Sequence, residues 1–146
     1  MIDDLYSRRI LRLAAEMPHA GRLPDPQGSA ERVSRLCGSR IVVDLCLKDG
    51  LVSDFAQDVQ ACALGQAAAG VLGAHVLGAS PAEILAARDA LKAMLKSGGA
   101  PPQGRFAELA ALEVVKDYPS RHASTLLAFE AAASAAAEAA AKSIVS

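Results

Sequence analysis

Two alternating runs flank a tight-turn tripeptide, and this constrains the fold more than any other stretch of the chain. In residues 40–48, Ile41, Val43, Leu45 and Leu47 share one face, while Val42, Asp44, Cys46 and Lys48 share the other. A period of two is that of a half-buried β-strand. Residues 51–60 follow suit, with Leu51, Phe55 and Val59 on one face and Asp54, Asp58 and Gln60 on the other. Lys48-Asp49-Gly50 lies between, so an antiparallel hairpin is predicted. Apolar faces meet only if odd residues pair with odd. That predicts a three-residue loop with Gly50 in the left-handed region of a G1 bulge. Leu47 is then set against Leu51, Val43 against Phe55, Ser39 against Val59 and Cys37 against Ala61. Arg40 faces Asp58, a favourable pair, and Asp44 faces Asp54, an unfavourable one. A one-residue slip would oppose Cys37 to Cys62 but would set apolar faces against polar ones. Either register brings both cysteines to one end of the sheet.

Around this hairpin the chain reads as helices. Leu5, Ile10, Leu13, Ala14 and Met17 recur at helical spacing over residues 3–17, with Asp3 or Asp4 as cap and Pro18 as stop. Pro18, Gly21, Pro24, Pro26 and Gly28 predict an extended loop. Ser29 to Leu36 alternates weakly and is read as a third strand. After Cys62, small residues predict a helix packed closely on the sheet and ending near Gly78. Ser80-Pro81-Ala82-Glu83 carries a capping box with Pro at the first helical position, opening a helix to Ser97 that stops at Gly98-Gly99. Phe106 to Val115 is a short helix, and a final helix starts near Tyr118-Pro119. Its alanine-rich part, residues 131–142, favours helix but buries little per residue, so residues 131–146 are expected to fray.

A chain of 146 residues is expected to form one domain over residues 1–146. Hydrophobic content of 52% supplies a core, although much of it is alanine. A net charge of −1, with no tryptophan, argues against a nucleic-acid footprint. The acidic start at Asp3-Asp4 is wrong for a signal peptide, and no apolar stretch of about 20 residues could span a bilayer. A cytoplasmic protein is expected. In that reducing compartment the three cysteines, Cys37, Cys46 and Cys62, read as ligands, nucleophiles or buried apolar groups rather than disulfides. Gly65, Gly70 and Gly73 do not follow a dinucleotide fingerprint, and no nucleophile–base–orienter set is visible.

Cys62 lies where a strand passes into a helix, and the helix N-terminus favours an anionic thiolate there. Cys37 precedes Gly38, which lets the backbone turn. The competing reading is that both are small buried hydrophobes. Cys46, mid-strand on the polar face, is assigned no role. Two thiolates do not complete a four-ligand site. His122 could add an imidazole, and Ser39 a hydroxyl that is a poor ligand. His75 reads as a satisfied core residue, and His19 is uninformative.

Taken together, the residues resemble the U-type iron–sulfur cluster scaffold family: the NifU N-terminal domain, IscU and SufU. The likeness covers roughly residues 3–135 and is carried by Tyr6, Ile10, Pro18, Gly21, Leu36-Cys37-Gly38, Asp49-Gly50, Phe55, Ala61-Cys62-Ala63 and the run Tyr118 to Phe129. The layout is nearest the SufU-like branch. Where the family has Cys-Gly-Asp, Ser39 stands in the Asp position; where it has a third Cys, Ser124 stands. In the IscU branch a His directly precedes that Cys, whereas here the place is Ala123, with His122 one residue further back. Cys37 and Cys62 therefore carry over as ligands, and Ser39 and Ser124 match by position only.

The resemblance implies an α+β fold, a three-stranded antiparallel sheet with about five helices packed mainly on one face. It implies iron or a [2Fe–2S] cluster held by Cys37 and Cys62 with outside ligands, sulfur from a cysteine desulfurase, and delivery to apo-protein acceptors. Two alternatives stand beside the scaffold reading. One is a persulfide acceptor using Cys62, with zinc at the site as in the SufU branch. The other is a degenerate relative that keeps the fold as a binding or regulatory module without metal. The oligomeric state is open.

Overall fold

The computed structural model describes residues 7–35 and 38–145. Helix α1 (Arg8–Ala15) is capped by the Ser7 hydroxyl, which accepts from the Ile10 N–H. The expected caps Asp3 and Asp4 lie outside the described residues. Three strands follow, β1 (Gly28–Ser34), β2 (Ser39–Lys48) and β3 (Leu51–Gln60), in the antiparallel order β1-β2-β3. Helix α2 (Ala63–His75) and helix α3 (Pro81–Ser97) come next. The 3₁₀ segments Gly104–Asp117 and Pro119–Arg121 lead into the long helix α4 (His122–Val145). The expected α+β architecture is the observed one, with α4 and α2 covering one sheet face. No helix among the described residues is long and apolar enough to cross a membrane.

The central hairpin meets its parity requirement by a different device from the one expected. Asp49 (φ 55°) and Gly50 (φ 80°) both occupy the left-handed region, and Lys48 pairs with Leu51. This is a two-residue turn of the I′ type, whose twist suits the flanking strands. Such a turn pairs odd with even residues, Leu47 with Val52. Ser53 is then left over as a bulge, and from Cys46↔Asp54 onward odd pairs with odd. The expected pairs are thereby displaced by two: Leu45 faces Phe55, Val43 faces Gln57 and Ile41 faces Val59. Asp44 faces Ala56 rather than Asp54, so the expected repulsion is absent. Arg40 faces Gln60 and reaches Asp58 diagonally at 3.8 Å. Leu51 is exposed, because the bulge gives its core place to Val52.

On β2 the inward set is as expected, Ile41, Val43, Leu45 and Leu47 all being buried. The outward-facing Asp44 is also wholly buried, beneath the segment 18–27. That segment first lines the edge of β3, where the Gln57 N–H donates to the His19 carbonyl at 3.0 Å and the Gly21 N–H to the Gln57 carbonyl at 2.8 Å. It then crosses the outer face and enters β1. Arg22 Nε donates to Asp44 Oδ2 at 2.6 Å and the Leu23 N–H to the same oxygen at 3.1 Å. Ser29 Oγ donates to Asp44 Oδ1 at 2.6 Å. Burial alone would raise the Asp44 carboxyl, but the bonds from Arg22, Ser29 and Leu23 outweigh it and hold it below the usual carboxylate range.

The alanine-rich part of α4, whose residues each offer little area to bury, packs into the core. Ala131, Ala132, Ala135, Ala136 and Ala139 are fully buried, and the helix is continuous to Val145. Small side chains let the helix axis come close to the sheet. At Gly28 the approach leaves no room for a side chain: a Cβ there would lie 2.8 Å from the Ala135 carbonyl carbon and run into its oxygen. Alanine contributes here through proximity, because close packing multiplies dispersion contacts even where little area is removed per residue. The capping box at Ser80 and Glu83 is present as predicted.

Candidate functional site

The site is built at the end of the sheet opposite the Asp49-Gly50 turn. Ser34 pairs with Ser39, so β1 and β2 are joined by the four residues 35–38. Arg40 pairs with Gln60, and extending that register two residues sets Gly38 level with Cys62. Gly38 has φ 68°, the left-handed turn conformation that motivated its reading. Cys37 itself lies outside the described residues.

Cys62 is the N-cap of α2, with extended backbone (φ −66°, ψ 170°), and its carbonyl accepts the first helical bond from the Gln66 N–H at 2.8 Å. Its sulfur makes no capping bond, and the residue is half-buried. The S–H instead donates to Ser124 Oγ at 3.5 Å, across 62 residues of chain. Ser124 is fully buried in the first turn of α4. Its own hydroxyl donates to the Arg121 carbonyl at 3.2 Å, and Thr125 Oγ1 donates to the same carbonyl at 2.7 Å. Gly65 explains why the two helices meet here. A Cβ at Gly65 would lie 2.9 Å from the Ala61 Cβ and 3.0 Å from the Ser124 carbonyl oxygen.

The remaining candidates are placed as follows. Ser39 is buried at the first position of β2, paired with Ser34 across the turn. His122 is buried, and its Nε2 lies 3.0 Å from the Val115 carbonyl and 3.2 Å from that of Lys116. Two carbonyl neighbours require a proton on Nε2, so that nitrogen closes the end of the 3₁₀ segment. His75 is not a core residue: it is about 38% exposed, with Nε2 2.8 Å from Glu108 Oε1. Cys46 is half-buried on the outer face, its S–H directed at the Asp25 carbonyl at 3.7 Å. Among the described residues no group of three or more His, Cys, Asp or Glu side chains is arranged to hold a metal ion. The sequence reading missed Thr125 and the Arg121 carbonyl. The available signal was two adjacent hydroxyl residues three and four places after Arg121, a spacing that turns both toward one carbonyl.

Three solved structures place this geometry in context. A crystal structure of a nitrogen-fixing NifU-like protein (N-terminal) from Brucella abortus superposes with a TM-score of 0.93. It shares 48% identity, over 97% of this chain and 98% of that one. The chain belongs to the NifU-like N-terminal family. A second match to this NifU-like chain is a protein from Fervidobacterium islandicum designated an iron–sulfur cluster assembly scaffold for the SUF system. It has a TM-score of 0.81 at 19% identity, over 89% of this chain and 95% of that one, and shares the fold. A hypothetical protein of known structure gives a TM-score of 0.81 at 23% identity, over 92% and 98%. No family model and no curated protein matches the chain.

Proposed function

We propose that this NifU-like chain is an iron–sulfur cluster assembly scaffold or carrier that holds iron or a [2Fe–2S] cluster as cargo through Cys37 and Cys62. The observation that carries the reading is the meeting of Cys62 and Ser124 at 3.5 Å, at the sheet end where Ser34 of β1 pairs with Ser39 of β2. Cys62 and Ser124, two of the positions that the family resemblance groups in one site, are in contact, which supports the reading. Two thiolates leave two coordination positions per tetrahedral iron, or two per cluster, to be filled from outside. Those ligands would come from a partner thiol, a small thiol or a second copy. Incomplete ligation by the chain suits a carrier, since cargo held by few protein ligands is released readily to an apo-protein acceptor. Sulfur would come from a cysteine desulfurase.

The test is anaerobic reconstitution with iron, sulfide and reductant, read by visible sulfide-to-iron absorption and by iron, zinc and acid-labile sulfide analysis. Wild type is expected to take up iron and sulfide, and Cys62→Ser and Cys37→Ser are each expected to lose most of it. Equal uptake in wild type and the double variant would refute the reading.

A second reading is favoured by one feature: Cys62 is a half-buried residue rather than a sealed one, and no capping bond engages its sulfur. Such a thiol at a helix N-terminus suits a persulfide acceptor, which needs a nucleophile and access but no complete metal site. Persulfide trapped on Cys62 without bound iron would favour it. Neither persulfide nor metal would leave the fold as a binding module.

A further inference from the structure

The geometry points to Ser124 as a positioning residue whose hydroxyl proton swings from the Arg121 carbonyl to the Cys62 sulfur when that sulfur becomes anionic. The inference rests on the reading of Cys62 as a reacting thiol and deepens it.

A serine hydroxyl has one proton to donate. Among the described residues Ser124 Oγ has two acceptors in reach, the Arg121 carbonyl at 3.2 Å and Cys62 Sγ at 3.5 Å. With Cys62 as a thiol, the S–H donates to Ser124 Oγ and the Ser124 O–H donates onward to the carbonyl. Once the S–H proton is gone, that relay has no first donor. The sulfur is then the stronger acceptor, because hydrogen bonds to ionised groups are about twice as strong as neutral ones. Swinging the proton is cheap here for a specific reason. The Arg121 carbonyl keeps the Thr125 hydroxyl at 2.7 Å, so it is not left without a partner. Ser124 is fully buried, so its rotation does not compete with bulk water. The close approach of α2 and α4 at Gly65 holds donor and sulfur in register.

The step served is sulfur transfer from an alkyl persulfide. The Cys62 thiolate attacks the outer sulfur, and a new sulfur–sulfur bond forms at Sγ. The donor's sulfur–sulfur bond breaks, its electron pair leaves on the donor thiolate, and the persulfide proton stays on the transferred sulfur. No external oxidant or reductant is consumed. Ser124 acts through Cys62, by holding the sulfur in its reactive orientation.

The test uses the full chain at one fixed neutral pH, with two probes read peptide by peptide by mass spectrometry. Iodoacetamide reports alkylation of Cys62, with Cys46 in the same sample as internal reference. Cysteine persulfide reports sulfur uptake by Cys62. A hydrogen bond to a charged group is worth roughly tenfold or more, partly offset because a stabilised sulfur is a weaker nucleophile. Ser124→Ala is therefore expected to slow both reactions at Cys62 about fivefold and leave Cys46 unchanged. Ser124→Thr, which keeps the hydroxyl, is expected to recover most of the rate. Unchanged Cys62 alkylation in Ser124→Ala, equal slowing at Cys46, or equal slowing in Ser124→Thr would each overturn the proposal. If alkylation responds as expected but wild type gathers no persulfide, the Ser124 role is supported and the acceptor reading fails.

Discussion

Replacing Asp44 by asparagine should cost stability at neutral pH, and that cost should vanish in acid. The carboxylate accepts four hydrogen bonds, from Arg22 Nε and Nη2, the Leu23 N–H and the Ser29 hydroxyl. Asparagine keeps the shape and one accepting oxygen but turns an NH2 toward donors. The Arg22 side chain is 52% exposed and can return to water, so its loss counts for little. The Leu23 and Ser29 bonds are part-buried and end on the wholly buried carboxylate. One bond to a charged acceptor lost and another weakened amount to about 2 kcal/mol. For a domain of this size that is a fall of roughly 8 °C in Tm. The pH dependence fixes the cause. The folded-state value for Asp44 is depressed, so its contribution is present above the unfolded value, near 3.8, and is lost as pH falls through the folded value. The difference between wild type and Asp44→Asn should therefore be constant from pH 7 to about 5 and shrink below about pH 4. Urea denaturation at pH 7, 5, 4 and 3 measures it. A difference that is the same at pH 3 and pH 7, or absent at pH 7, would refute the ionic latch.

Three further outcomes follow from single contacts. Gly28→Ala should destabilise by about 3 kcal/mol, at the upper end of overpacking costs, because the obstacle is the α4 backbone at Ala135 rather than a movable side chain; an unchanged urea midpoint would contradict the close approach. Ser80→Ala removes the acceptor of the Glu83 N–H bond at 3.1 Å and should cost about 1 kcal/mol by denaturation, with no change in Cys62 alkylation. His122→Phe removes the donor shared by the Val115 and Lys116 carbonyls, of which Val115 keeps the Tyr118 N–H, and should cost about 1 kcal/mol; iron and sulfide uptake should survive in folded protein, and its loss would make the imidazole a ligand.

Much of the architecture was legible because it rests on local periodicity and local caps. The alternation of Ile41, Val43, Leu45 and Leu47 fixed which face of β2 is inside, and the Ser80–Glu83 box fixed where α3 begins. The parity of the hairpin was also legible, since only odd-with-odd pairing buries both apolar faces. How that parity is met was not. The choice between a three-residue loop and a two-residue turn with a bulge at Ser53 depends on which residue the β3 ladder can spare, and Val52 and Leu51 exchange roles accordingly. The Asp44 latch was illegible for a similar reason. Its partners Arg22 and Ser29 lie 22 and 15 residues away, in a loop whose path no period describes.

By itself, then, the sequence determined the order of the elements, the inward face of β2, and the position of Cys62 at a strand-to-helix junction. These follow from residue spacing and from the conformational preferences of single residues. Only the tertiary structure decided that the alanine-rich helix is central and that Ser124 comes to rest 3.5 Å from Cys62 Sγ. Both depend on how closely two backbones approach, which is set by the absence of side chains at Gly28 and Gly65. A missing side chain leaves no periodic signal, so its consequence appears only when the facing helix is in place.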